Sequence, residues 1–355
     1  MAQPLRLLTQ ATLLRHLAVT MAEGVVGTTS GAGTTTTAVD ARLERYPNKY
    51  FTGWEIFFES GNLADLSFIV SDFVGVGGTL TFVPTGSGAS GTSVRYIMLR
   101  RHTIDFLKRI ILDAWRQCRD ACLVPWHDES VTLIADTYDY ELPYEWHYTG
   151  LASSSAGTAF TLIDTTLAEA NDFWNGALLV NRTNSESRIV SDYVLSTTKL
   201  TWIRRATAAG ASDTYDLHKF YPVAITSIQY YDDDGEWQEV PREAWDIRRS
   251  GDAMQLHLFN VESDPRYYRV WPFKAWQLRL TGWRYALEPT NSWDPIELPD
   301  QVIIPWCNYL FHASSVGAAS MDPRAHAQRM AEAFRLAEEN TNKALVIIDG
   351  KAART

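Results

Sequence analysis

Four groups of residues have the types and spacing from which chemistry is built. Asp232-Asp233-Asp234-Gly235-Glu236 gathers carboxylates around a glycine, the hard-oxygen set that calcium takes. It lacks the later bidentate Glu of a calcium loop, and Asp-Gly between strand-like runs marks a hairpin turn, so the turn reading is preferred. Cys118 and Cys122 stand four apart with His102 and His127 nearby in sequence, a conceivable zinc set. Both thiols fall on an apolar helical stripe, where free Cys packs as a small hydrophobe. Asp40 with Asp164, and Asp72 with Asp192, recur in matching contexts and invite a role as functional acids. Duplicated acids in duplicated turns are expected instead to cap strands and loops. Arg95, Arg100, Arg101, Lys108, Arg109, Arg116 and Arg119 could face DNA, yet they alternate with Asp105, Asp113 and Asp120, as on a solvated or subunit-contacting face.

Nucleophilic chemistry finds no support. The eight His are scattered and there is no Gly-x-Ser-x-Gly elbow. Paired carboxylates for glycoside cleavage leave no sequence spacing to read. The Gly/Thr/Ser stretch 27–37 has no Lys at P-loop spacing and reads as a linker or first loop. No enzyme activity, cofactor or metal is therefore expected.

The elements that position these residues include one stretch that occurs twice. Phe68-Ile-Val-Ser-Asp-Phe73 returning through Leu80-Thr-Phe82 matches Arg188-Ile-Val-Ser-Asp-Tyr193 returning through Leu200-Thr-Trp202. Both read as β-hairpins. The match extends outward through Asp40 and Asp164, Gly53 and Gly176, and Tyr96 and Tyr215, so two copies of one domain are expected. They span 34–98 and 150–218.

Around them the period changes. Residues 4 to 22 predict a short helix that opens an N-terminal segment 1–33. Ile104, Leu107, Ile111, Ala114 and Cys118 predict an amphipathic helix over about 100–122, within a segment 99–149 that closes on strand material from Val131 to Leu142. Residues 219–297 carry strands: Ile225 to Tyr231, Met254 to Phe259, Tyr268 to Trp271 and Trp276 to Thr281. Residues 298–345 hold two helices, the first with Val302, Trp306, Leu310 and Ala313 on one face and Pro305 near its start, the second opened by Asp322-Pro323. The last segment, 346–355, reads as a strand-like arm. The fold class expected is α+β, mostly β: a helical core (the helix at about 100–122 plus two C-terminal helices), a β-sandwich or barrel, and two homologous small β-barrels.

Composition narrows the partners. Lys plus Arg is 32 against 42 Asp plus Glu, a formal charge of −10, which disfavours tight phosphate binding through counterion release. Charged residues are only 21%, which fits an ordered chain. Three Cys give no disulfide framework and fit a reducing compartment. No apolar run approaches the roughly 18–20 residues that span a bilayer.

The order of these parts resembles the head-to-tail adaptor (connector, neck) proteins of tailed bacteriophages. The residues that carry the resemblance are Tyr140-Glu-Leu-Pro143, Ile225-Thr-Ser-Ile228, Trp245-Asp-Ile247, Leu280-Thr-Gly-Trp-Arg-Tyr285 and Leu298-Pro-Asp300. The repeat looks like a small β-barrel that recurs in phage virion proteins. The resemblance implies a virion protein of the neck, made in the host cytoplasm, in a commonly dodecameric ring. Its partners would be copies of itself, the portal protein and a tail or nozzle protein, around DNA that passes without being gripped. Partner contacts are expected from Arg109, Arg116 and Arg119 on the helix and from Val346, Ile347, Ile348 and Arg354 on the arm. A carbohydrate-binding or depolymerising tail protein and a capsid decoration protein are the alternatives.

Overall fold

A computed structural model describes residues 8–22, 24–134, 137–142, 146–153, 157–184, 186–203, 210, 212–250, 253–259, 275–314 and 328–341. It is α+β and mostly β, with four helices among the described residues. The chain gathers into two units, one of residues 1–121 and 287–345, the other centred on 122–286.

In the first unit, alternating apolar residues build a six-stranded antiparallel sheet. Its order is Val25–Thr28, Arg95–Leu99, Glu55–Phe58, Ser67–Val74, Thr79–Val83, Thr37–Val39. The chain leaving the first strand then bonds to the last, Ser30 N–H to Val39 O at 2.8 Å, so the sheet curls onto itself. Inside lie Phe51, Phe58, Phe68, Phe73, Phe82 and Ile56, each worth about 2 kcal/mol of burial.

The second unit repeats this topology. Its strands run Trp146–Leu151, Thr214–Lys219, Leu178–Asn181, Glu186–Ile189, and then Asp192–Val194, Lys199–Thr201, Thr161–Ile163. The fourth strand of the first copy is thus divided in the second, and the division falls where the first copy already bulges. Register shifts between Val70 and Asp72, at Ser71; Ser191 separates the two half-strands. Both serines donate Oγ–H to the facing carbonyl, Ser71 to Thr81 at 3.2 Å and Ser191 to Thr201 at 3.1 Å. Such a bulge re-aims a strand so that a small sheet can close. Gly53 and Gly176 both have φ +83°, which only glycine adopts without strain, and their N–H groups bond Val70 O and Val190 O.

The second copy is inserted into a host. Two further sheets share one core: Trp237–Val240, Ala224–Tyr231, Leu278–Arg284 and Val124–Asp128 in one, Trp245–Ser250, Ala253–Leu258 and Asp139–Glu141 in the other. Leu133, Tyr140, Ile228, Trp245, Leu256, Leu258, Leu278 and Leu280 fill it. Its strands come from both sides of residues 146–219, so the host closes only after the insertion has passed. The Asp232 turn joins Ala224–Tyr231 to Trp237–Val240, and Asp232 Oδ1 accepts from the N–H groups of Asp234 and Glu236.

Helices complete the first unit. Gln10–Thr20 and Asp300–Ser314 both pack on Ile104–Cys118. Thr103 Oγ1 caps the last of these by accepting from Phe106 N at 3.2 Å, and Glu55 of the barrel accepts from Ile104 N at 2.9 Å. Pro305 lies inside Asp300–Ser314 and supplies no N–H to the carbonyl four residues back. That carbonyl, of Gln301, accepts instead from Asn340 Nδ2 at 2.6 Å, which ties in the helix at residues 328–341.

Four expectations change. The N-terminal helix runs Gln10–Thr20, because Leu8–Thr9 pairs with Pro295–Ile296 and Thr9 caps the helix. Val25–Thr28 is a barrel strand where a linker was expected, and Trp146–Leu151 opens the second copy, so each barrel starts earlier than 34 and 150. Among the described residues between Val131 and Leu142, Asp139–Glu141 is the one strand and Thr132 makes an isolated bridge, while Val124–Asp128 was not foreseen. The buried face of Asp300–Ser314 is Val302, Ile303, Cys307 and Phe311; Trp306 turns to the helix at residues 328–341 and donates Nε1–H to Thr341. The Tyr268 to Trp271 strand, the Asp322-Pro323 cap and the 346–355 arm lie outside the described residues.

Candidate functional site

The three helical arginines do not form a cationic patch. Arg109 is exposed. Arg116 faces Asp113 at 3.6 Å and Glu288 at 3.5 Å; Arg119 pairs with Asp120 at 3.3 Å and lies over the Trp115 ring. Exposed pairs of this kind contribute about 0–1 kcal/mol and leave little net charge to attract phosphate. The arm residues Val346, Ile347, Ile348 and Arg354 lie outside the described residues.

The duplicated acids hold the barrels together. Gly27 and Gly150 stand opposite Tyr96 and Tyr215, and the tyrosine rings occupy the space that a Cβ would need. Through that gap each hydroxyl donates to the buried acid, Tyr96 to Asp40 Oδ2 and Tyr215 to Asp164 Oδ2, both at 2.7 Å. The other oxygen of each accepts a backbone N–H two residues on, from Arg42 and from Thr166. Burial alone would raise the Asp40 carboxyl; the bonds from Arg42 and Tyr96 outweigh it and hold it below its ordinary value. Burial and the acid beside them push both tyrosines far up. Asp72 Oδ1 accepts from Phe73 N at 2.9 Å.

Cys118, Cys122 and Cys307 are all buried and form no disulfide. Burial pushes Cys122 up to about 11, and Cys307 higher still with Cys118 beside it. They serve as core atoms.

The structure brings together one set that the sequence reading missed. Trp146–Leu151 and Thr214–Lys219 pair so that His147 faces His218 and Thr149 faces Asp216. Alternation sends these four to the outer face, while Tyr215 and Leu217 enter the core. The imidazoles stack, with centroids 4.6 Å apart and planes 9° from parallel. Asp216, 2% exposed, accepts from Thr149 Oγ1 at 2.7 Å and lies 3.1 Å from His147 Nε2. Arg182 contacts both of its oxygens at 2.5 Å. Burial would raise the Asp216 carboxyl, but Arg182, Thr149 and His147 together hold it low. His147 and Asp216 are 69 residues apart in sequence; the only local signal is the Asp-x-His spacing on one strand.

Both barrels also expose apolar residues at the same places on the duplicated hairpin. Ile69 and Val83 are direct partners and are 48% and 50% exposed; Ile189 and Ile203, at the equivalent positions, are 41% and 84% exposed. Exposed β-branched residues at matched hairpin positions are surface available to a partner. No protein-family model and no curated protein matches the chain.

Proposed function

We propose that this chain is a structural virion protein of the tailed-phage neck, a head-to-tail adaptor that assembles as a ring below the portal and surrounds passing DNA. The observation that carries the reading is the division of labour in the two barrels. Their polar residues Asp40, Tyr96, Asp164 and Tyr215 are spent on internal bonds, while their hairpins present β-branched residues outward at matched positions. That is the arrangement of a module whose work is contact. A helical bundle and a host β unit in the adaptor order give further support, as does a formal charge of −10, which lets DNA slide past. The carbohydrate reading draws less support, since Trp54, Trp126, Trp174, Trp202 and Trp245 are buried and, among the described tryptophans, Trp146 is the large exposed ring, at 48%.

The test is stoichiometry. Native mass spectrometry and negative-stain imaging of the protein, alone and with the portal protein of its own genome, should show a closed ring. A persistent monomer or trimer in both preparations sinks the reading. Replacing Ile69, Val83, Ile189 and Ile203 with Lys should block assembly and leave the circular dichroism of the monomer unchanged.

A further inference from the structure

We propose that His147, Asp216 and His218 form a binding site for one divalent transition-metal ion of the zinc class. The three donor groups lie within 4.8 Å of one another. Two come from one strand at i and i+2, and the third stands directly across on the neighbouring strand, so the backbone already holds all three on one face. The gap between His147 Nε2 and Asp216 Oδ1 is 3.1 Å. Two ligands at about 2.0–2.2 Å from one zinc ion lie roughly 3.0–3.5 Å apart, so this pair is already at coordination spacing. The His147 side chain is 54% exposed, so solvent borders the set, and binding would require one imidazole to rotate out of the stack to present the third donor. Two imidazoles and one carboxylate with an open side match the ligand preference of zinc and its neighbours.

The first barrel shows that the fold does not need these residues. Where the second copy has Asp216 and His218, the first has Ile97 and Leu99, counted from the matched Tyr96 and Tyr215. Both are buried apolar residues in the same sheet position. A polar, ligand-bearing face has therefore been built in one copy only, onto a topology that closes without it. The place is informative too. Trp146–Leu151 is the strand by which the chain enters the inserted barrel and Thr214–Lys219 the strand by which it leaves. A metal ion here would clip the stem of the insertion. Arg182, which now contacts both oxygens of Asp216, is the competitor: its charge opposes an incoming cation, and an ion that takes Oδ1 leaves it Oδ2.

Titrating tag-free protein with Zn²⁺ by calorimetry, and with Co²⁺ by visible absorption, tests the site without depending on the adaptor reading. The expected result is one ion per chain bound through this set. His147→Ala and His218→Ala should each weaken binding at least about tenfold. Arg182→Gln should tighten it. Zn²⁺ should slow hydrogen exchange in residues 146–151 and 214–219 of the wild type but not of His147→Ala, whose far-UV spectrum shows it folded. No uptake by the folded wild type, unchanged affinity in folded His147→Ala, or weaker binding in Arg182→Gln would each overturn the proposal.

Discussion

Because the chain contains the same barrel twice, one substitution can be made in two settings and the difference predicted. Tyr96→Phe and Tyr215→Phe each remove one hydroxyl from a buried carboxylate and keep the ring that fills the space beside Gly27 or Gly150. The carboxylates left behind differ. Asp40 keeps Arg42, whose Nε and Nη2 reach Oδ1 and Oδ2 at 3.0 Å. Asp164 is 0% exposed; on the affected oxygen it keeps the Tyr148 hydroxyl at 3.2 Å, and on the other the N–H and hydroxyl of Thr166. A hydrogen bond to a charged group contributes about 1.5–3 kcal/mol. The guanidinium places Tyr96→Phe at about 1.5 kcal/mol, and its absence places Tyr215→Phe at about 3 kcal/mol. A global melt would blur two units that need not unfold together, so the assay is hydrogen exchange read barrel by barrel. The Gly53 and Gly176 amides, which bond Val70 and Val190, are matched reporters. Protection should fall about tenfold in the first barrel and about a hundredfold in the second. Equal losses, or a larger loss in the first barrel, would refute the argument that Arg42 substitutes for the missing donor.

Three further outcomes follow from other contacts. Lys219 and Asp128 form a buried ion pair at 2.6 Å, with side chains 3% and 1% exposed; Lys219→Met should cost about 3–5 kcal/mol by stranding the carboxylate, and adding Asp128→Asn should recover part of it in a chemical melt. Asn340→Ala should cost about 0.5–1 kcal/mol by giving the exposed Gln301 carbonyl back to water, and the cost should shrink beside Pro305→Ala, which restores an N–H to that carbonyl. Asp40 has a folded-state pKa below its ordinary 3.8, so the unfolded chain takes up the proton first. Its contribution is present above that value and is lost as pH falls through the lower folded one. The melting temperature should therefore drop with acidification below about pH 4, and Arg42→Gln should make that drop shallower.

What the sequence revealed, and what it hid, follows from how geometry constrains letters. The duplication is legible because Gly53 and Gly176 sit at a φ that other residues avoid, Ser71 and Ser191 mark a bulge, and the Tyr–Asp pairs fill one sealed space; each demand leaves the same letter at a matched position. The strand Val25–Thr28 was hidden because its Gly27, required by the Tyr96 ring, looks like loop composition. The face of Asp300–Ser314 was misjudged because a single period through Val302, Trp306 and Leu310 assumes one neighbour, whereas this helix meets Ile104–Cys118 and the helix at residues 328–341. The His147, Asp216 and His218 set leaves no periodic trace, since pairing between distant strands assembles it. On the helix the interleaved acids were legible as neighbours of the arginines, Asp113 of Arg116 and Asp120 of Arg119, whereas Glu288, a further partner of Arg116, comes from another part of the chain.

The entry and exit strands of both barrels run hydrogen-bonded side by side, Val25–Thr28 with Arg95–Leu99 and Trp146–Leu151 with Thr214–Lys219. Each barrel therefore begins and ends at points about 5 Å apart, and any backbone with two neighbouring positions can accept one without opening. The barrel is a cassette. A host turn that receives it is lengthened in sequence yet unchanged in span, which is how one copy can stand between two helices of the bundle, Gln10–Thr20 and Ile104–Cys118, and another inside a β unit. Exchanging the two, stem for stem, would leave both hosts with the same closure to make.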